Sequence, residues 1–165
     1  MKNKFNIENQ IELARVEERI SKQRAIMLWS GDFFEKMTAG SFKTLAEIHK
    51  NLFEEIYWFA GKHRNENISK GNGRSMRLWL DHILKTELKK VADWSRIDKN
   101  IYLRAMDRSP IDDAEIKKVL FGALTEKIND REIFMKSLDA SYFYENYFAT
   151  GVRIYEDYVN KRRDG

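Results

Sequence analysis

The segment SFKTLAEIHKNLFEEIYWFAG, residues 41–61, decides the fold class, because its apolar residues recur with the period of an α-helix. The apolar stripe has successive spacings of three, four, four and three and consists of Leu45, Ile48, Leu52, Ile56 and Phe59. Ser41 is a suitable N-cap, and Gly61 is a natural C-terminal stop. The pattern predicts an amphipathic helix that buries one face.

Helical patterns flank this segment on both sides. Two further stripes are Ile11, Val16, Ile20 and Met27 over about residues 8–28, and Met76, Leu80, Leu84, Leu88 and Val91 after a pair of glycines. Ser109 followed by Pro110, with two aspartates next, predicts a helix that starts at the proline. Asp130 predicts another helix start. Because strand-like alternation is nearly absent, we expect an all-α fold.

The composition fits one folded domain over residues 1–165, with 42% hydrophobic and 34% charged residues. The chain has no cysteine and three histidines, so it offers no thiolate zinc site and a poor metal cage. It shows no apolar signal or membrane-length run, and we expect a cytoplasmic protein with no membrane partner. The net charge of +4 is spread along the chain, which argues against a nucleic-acid partner and is compatible with a phosphate-bearing ligand.

A glycine-rich passage, NISKGNGRSMR from residue 67, interrupts the helical patterns. Its two glycines can turn backbone N–H groups toward one point, and the first N–H groups of the following helix lack intrahelical partners. Arg74 and Arg77 can reach the same side of that helix, and guanidinium groups pair well with phosphate oxygens. The passage predicts a phosphate cradle. The alternative is a plain turn before a helix on which Arg77 pairs with Asp81.

GNGRSMR resembles the second half of the Fic family signature, HPFxxGNGRxxR. Three other segments are similar to parts of that family: EIYWFAGKHRNENISKGN to the approach to its flap, RLWLDHILKTELKKVADW to the helix after the signature, and the stretch from MDRSP to FYENY to its C-terminal helices. The resemblance covers about residues 30–148. It implies a Fic-type helical domain with an inhibitory helix at about residues 138–148.

Fic proteins typically transfer AMP from ATP to a hydroxyl of a target protein, with magnesium at the phosphates. The resemblance implies that Gly71, Asn72, Gly73 and Arg74 hold phosphates and that Arg77 holds the γ-phosphate. Such chemistry depends on positioning and charge neutralisation. The resemblance also implies an unidentified protein target and a capacity to form homo-oligomers.

A second match to the family is SYFYEN, residues 141–146, which fits its inhibitory pattern. Ser141, Glu145 and Asn146 occupy the three defining positions. The resemblance implies that Glu145 pairs with Arg77 and excludes productive ATP, since a carboxylate and a phosphate compete for the same guanidinium. The alternative is that Glu145 is an exposed charge on a helix whose aromatic residues fill the core.

The upstream half of the signature does not match. Aligned backwards from GNGR, Glu66 stands at the position of the catalytic histidine and Lys70 at that of the metal-binding acid. A protonated lysine cannot bind magnesium. The flap opening NISKGN runs directly into GR, so we expect the β-hairpin flap to be truncated or missing. We expect no base among the histidines, which are His49, His63 and His82.

Two functions therefore stay open. The first is a protein AMP-transferase that uses ATP and magnesium and is autoinhibited by Glu145, with no catalytic base assigned in this chain. The second is a helical module that binds a nucleotide or a partner without turnover. The resemblance does not separate AMP addition from AMP removal.

Overall fold

The computed structural model describes residues 2–62 and 72–144, apart from the side chains of residues 72 and 141–144. These residues form α1 (Gln10–Ser30), α2 (Phe42–Phe53), α3 (Asn72–Leu88), β1 (Val91–Ala92), α4 (Lys99–Arg108), α5 (Ala114–Gly122), β2 (Leu124–Thr125) and α6 (Arg131–Tyr144). Short 3-10 helices lie at Phe34–Lys36 and Trp94–Arg96. The described chain is mainly helical, which confirms the predicted class. The antiparallel pairing of β1 with β2 was not predicted.

Polar side chains define the starts of several helices. The Ser41 hydroxyl accepts a hydrogen bond from the backbone N–H of Thr44 at 3.2 Å, which confirms the predicted N-cap of α2. The Asp130 carboxylate accepts the N–H of Glu132 at 2.9 Å at the predicted start of α6. Asn9 caps α1 in the same way, accepting the N–H of Ile11 at 2.9 Å.

The predicted helix over residues 41–61 is too long, because α2 ends at Phe53 and turns continue the chain to Gly61. Gly61 has φ +74°, and its N–H donates to Nδ1 of His49 at 2.9 Å. A Cβ at this glycine would lie 2.7 Å from Cβ of Lys50. Glycine therefore fits the end of the turn, by its positive φ and by this close approach, and does not stop the helix itself.

The predicted helix start at Pro110 is wrong. Ser109 instead ends α4, where its hydroxyl donates to the carbonyl of Met106 at 2.8 Å. α5 begins at Ala114, whose N–H donates to the Asp112 carboxylate at 2.9 Å. A serine–proline pair followed by acids suits a turn that closes one helix as well as it suits the start of the next.

The main core lies between α1, α2, α3 and α6. Its buried residues are Ile20, Ala25, Leu28, Ile48, Leu52, Phe53, Ile56, Tyr57, Leu78, Phe134 and Leu138. A smaller cluster under the short sheet contains Ala92, Trp94, Ile97 and Ala123. No helix within the described ranges is long and apolar enough to cross a membrane.

The predicted stripe around α2 is largely confirmed. The stripe on α3 is confirmed at Leu80, Leu84 and Val91 and wrong at its other two positions. Ile48, Leu52 and Ile56 are fully buried. On α3, Met76 is 43% exposed and Leu88 is 55% exposed. Polar residues occupy the inner face of α3 instead, and they form the candidate site.

Candidate phosphate-binding site

The inner face of α3 is unusually polar. Its buried polar residues are Arg74, Ser75, Arg77, Asp81 and His82. Spacings of three and four residues bring both arginines and Asp81 to one side of the helix. α3 begins at Asn72, so both arginines lie within its first two turns. Buried ionised side chains require partners, and the two arginines obtain them differently.

Arg74 is 0% exposed and points toward α1 and α2. Its Nη2 donates to Oε2 of Glu17 at 3.2 Å, and its guanidinium carbon lies 5.1 Å from the ring centre of Phe53. Glu17 is itself buried and accepts a hydrogen bond from the Tyr57 hydroxyl. Arg74 is therefore held by a buried carboxylate and an aromatic ring.

Arg77 is 5% exposed and points toward the start of α4. Its guanidinium carbon lies 4.8 Å from the ring centre of Trp94 and 5.7 Å from that of Tyr102. The two rings contact each other edge to face, with centres 5.4 Å apart. Burial raises the pKa of the Tyr102 phenol, and the positive charge of Arg77 opposes that rise. Aromatic faces thus surround the second guanidinium.

Asp81 lies one turn after Arg77 and differs from the arginines in its charge state. Burial raises the pKa of its carboxyl group to about 7, although the hydrogen bond from Ala92, the Trp94 indole and the Arg77 charge each lower it. Its Oδ1 accepts the N–H of Ala92 at 3.1 Å, which ties α3 to β1. The effect of the Arg77 charge on Asp81 agrees with the alternative given above, in which Arg77 interacts with Asp81 along the helix.

The start of α3 is an electrostatically favourable place for an anion. The N-terminus of a helix carries a partial positive charge, and the first turn of α3 contains no acidic residue. Two arginines add fixed positive charge in an enclosed region, where electrostatic interactions are stronger than in water. Glu17 supplies one anionic partner from α1. A phosphate that reached Arg74 would therefore take the place of this carboxylate.

The predicted phosphate-binding residues are partly brought together. Asn72 and Gly73 lie in the first turn of α3 beside Arg74, with Arg77 one turn later. Gly71 lies outside the described residues. The predicted inhibitory residues are also largely outside: Ser141 is in the last turn of α6, whereas residues 145 and 146 are not described. The predicted truncation of the flap concerns residues outside the described ranges. Residues 66–70, which align with the family's catalytic histidine and metal-binding acid, also lie outside them.

The partners of the arginines were not predicted from the sequence. They are Glu17, Phe53, Trp94 and Tyr102. Glu17 lies three residues after Ala14 and three before Ile20, both buried. A glutamate between two core positions of the same helix face was the one available signal that α1 contributes a buried charge. No local signal pairs the aromatic residues with arginines so distant in sequence.

Two of the histidines have hydrogen-bond partners in the structure. Nδ1 of His49 accepts the N–H of Gly61 at 2.9 Å, and Nε2 of His82 lies 3.2 Å from the carbonyl oxygen of Met37. His63 lies outside the described residues. The two described histidines are satisfied side chains, as predicted.

The family resemblance implies magnesium, which proteins usually hold through one or two carboxylates and the phosphates of the substrate. The described chain contains no group of three histidine, cysteine, aspartate or glutamate side chains that could hold a metal ion. The carboxylate beside Arg74, that of Glu17, already bonds to Arg74 and Tyr57. Comparison of the chain with models of known protein families finds no match.

Proposed function

We propose that this chain is a Fic-type helical domain that binds the phosphates of ATP through Arg74 and Arg77. In this proposal it is a protein AMP-transferase that Glu145 restrains. The observation that carries the proposal is the burial of two arginines, one helical turn apart, at the start of α3. These are the two arginines to which the family resemblance assigns the phosphates.

The chemistry of the two arginines suits a polyphosphate. Guanidinium groups donate paired hydrogen bonds to phosphate oxygens, and the aromatic rings around them fix their orientation. In this proposal each guanidinium takes a different phosphate, Arg74 on the side of α1 and Arg77 on the side of α4. Positive charges placed in advance hold the triphosphate in position, which is the main protein contribution to transfer of this kind.

ATP binding is an exchange of anions in this account. Glu17 already occupies Arg74, and Glu145 takes Arg77 by resemblance to the inhibitory pattern. Removing either carboxylate should favour phosphate, because a competing anion is then removed. The bound phosphate must also enter a site in which Arg74 is fully buried, so local opening precedes binding.

A second candidate is a module that binds nucleotide without turnover. It is favoured by the bonding of His49 and His82 to backbone groups, together with glutamate and lysine at the aligned positions of the base and the metal ligand. In this case the arginines would hold ATP, and no proton acceptor would activate the target hydroxyl.

Glu145→Gly protein distinguishes the two candidates. Its affinity for ATP, measured by calorimetry, should exceed that of the unaltered protein. Incubation with ATP and magnesium, followed by intact mass measurement, then tests turnover. An added AMP group supports the transferase, binding without an adduct supports the module, and an absence of ATP binding contradicts both.

A further inference from the structure

A cavity of about 370 Å³ lies further along the same face of α3, beyond the arginines. α3 contributes Leu78, Asp81, His82 and Lys85 to its wall, at the spacings of one helix face. The end of α1, the 3-10 helix at Phe34–Lys36 and the start of α6 enclose the other sides. Neither Arg74 nor Arg77 lines this cavity. Its volume falls within the range of small-molecule sites in proteins.

An aromatic surface forms one wall of the cavity. The ring centre of Phe134 lies 4.8 Å from that of Trp29 and 6.4 Å from that of Phe34. Phe34 in turn lies 5.2 Å from the imidazole of His82. Four aromatic rings thus contact one another in series along this wall, and a ligand ring can pack against them.

The charged groups around the cavity favour a cation. Glu35, Asp81 and Asp130 contribute three carboxyl groups, whereas Lys85 contributes one ammonium. The Lys85 Nζ donates to Oδ1 of Asn129 at 3.0 Å and lies 5.4 Å from the ring centre of Trp29. The aromatic wall therefore already accepts an ammonium group at its edge, as expected for the electron-rich face of an indole.

We infer that this cavity is a binding site for a small aromatic amine. The ring of the ligand packs against Trp29, Phe34 and Phe134, and its ammonium group pairs with the carboxylates of Glu35 and Asp81. The inference does not rest on the proposed ATP binding, since it uses a different set of side chains. Asp81 is the contact between the two regions, because it also lies near Arg77.

The protonation of Asp81 gives this site a pH dependence. Burial raises the pKa of Asp81 to about 7, so the free carboxyl group is increasingly ionised above neutrality. The other titratable and charged groups around it are Arg77, His82 and Lys85 on α3, Glu35 before α2, and Asp130 before α6. A primary alkylamine resembles lysine and stays protonated to about pH 10. Amine affinity should therefore rise between pH 6 and pH 8.

Three probes with one ring system test the charge preference. Tryptamine, indole and indole-3-acetate carry a positive, a neutral and a negative group respectively, and each is titrated into the full chain at pH 8 by calorimetry. We expect tryptamine to bind at least about tenfold more tightly than indole-3-acetate, as charge complementarity requires. No saturable binding of tryptamine, or equal binding of the acid, would overturn the inference.

Two exposed glutamates provide a matched pair of variants. Glu35 lines the cavity, whereas Glu87 is on α3 and does not. Glu35→Gln should weaken tryptamine binding several-fold, and Glu87→Gln should leave it unchanged. Equal effects of the two substitutions would show that the amine binds elsewhere. Because ATP is absent from these titrations, their result is independent of the arginine site.

Discussion

The two ends of the inner face of α3 bury charge-bearing groups in opposite ways. At the N-terminal end, Arg74 and Arg77 stay ionised and are held by Glu17 and by aromatic rings. Further along, burial raises the pKa of Asp81 to about 7, so this group is neutral in much of the population at neutral pH. The buried arginines are therefore stabilised by a carboxylate and by aromatic rings, whereas the buried Asp81 is stabilised by binding a proton.

The difference follows from the chemistry of the side chains. Arginine cannot lose its proton in a protein, so its burial needs a counter-charge or an electron-rich ring. A carboxyl group can become neutral instead and then needs only hydrogen bonds, such as that from the N–H of Ala92. The arginine end is therefore suited to exchanging one anion for another, and the Asp81 end to responding to pH.

The largest expected effect is at the arginine end. Glu17→Gln removes the buried carboxylate beside Arg74 and should lower the free energy of unfolding by about 3 kcal/mol, measured by urea denaturation. The matched control is Glu115→Gln, which breaks exposed pairs with Arg104 and Arg108. We expect that control to stay within about 1 kcal/mol of the unaltered protein.

The double variant Glu17→Gln with Arg74→Met sharpens this test. If the loss comes from an uncompensated buried cation, replacing the arginine by an apolar side chain should restore part of the stability. If the two substitutions lower the free energy of unfolding additively in the double variant, the ion-pair account of Arg74 is contradicted.

A smaller effect is expected at the Asp81 end, and it depends on pH. The unfolded chain releases this proton near pH 4, whereas the folded chain keeps it to about pH 7. The raised pKa therefore stabilises the fold at low pH, and this contribution is lost as the pH rises toward 7. Between pH 5 and pH 8 the loss should be about 2 kcal/mol.

Asp81→Asn should remove that contribution, because the amide oxygen can still accept the N–H of Ala92 but does not titrate. Urea denaturation at pH 5 and pH 8 measures the change, with Asp113→Asn on the surface as the control. An equal pH dependence in the Asp81 variant and the unaltered protein would show that the carboxyl group is ionised throughout.

The smallest effect is expected at Lys85, which lies at the edge of the cavity. Its hydrogen bond to Asn129 is exposed, so Lys85→Met should change the free energy of unfolding by no more than about 0.5 kcal/mol. Since this lysine lies near the ring of Trp29, its removal should also strengthen tryptamine binding slightly. Weaker amine binding in this variant would mean that the lysine supports the site.

Periodicity predicted the helical class, the N-cap at Ser41 and the buried stripe on α2, since those depend on local pattern alone. On α3 it wrongly predicted that Met76 and Leu88 are buried, and it did not predict the burial of the two arginines. The burial of Arg74 depends on Glu17, 57 residues earlier in the chain, and hydrophobic spacing carries no information about such a partner. The glycine–arginine motif did indicate that a helix begins here, as α3 does at Asn72, and the phosphate site at its start stays a prediction.

The short sheet and the cavity could not be predicted from local sequence patterns either. Each strand has two residues, so neither shows an alternating pattern that could be recognised. The cavity walls come from α1, α3 and α6, and its shape exists only after these helices pack. Asp81 and Lys85 could be placed on one face of α3 from their spacing, but not beside Trp29 or Phe134.

The most direct test of the account is the affinity of ATP for two arginine variants in the Glu145→Gly background. Arg77→Ala removes a proposed phosphate ligand, and Arg108→Ala removes an exposed arginine that pairs with Glu115. Calorimetric titration should show at least about tenfold weaker ATP binding for the first and no change for the second, because a charged hydrogen bond contributes about 1.5–3 kcal/mol. Equal ATP affinity in the two folded variants would contradict the assignment of the start of α3 as a phosphate-binding site.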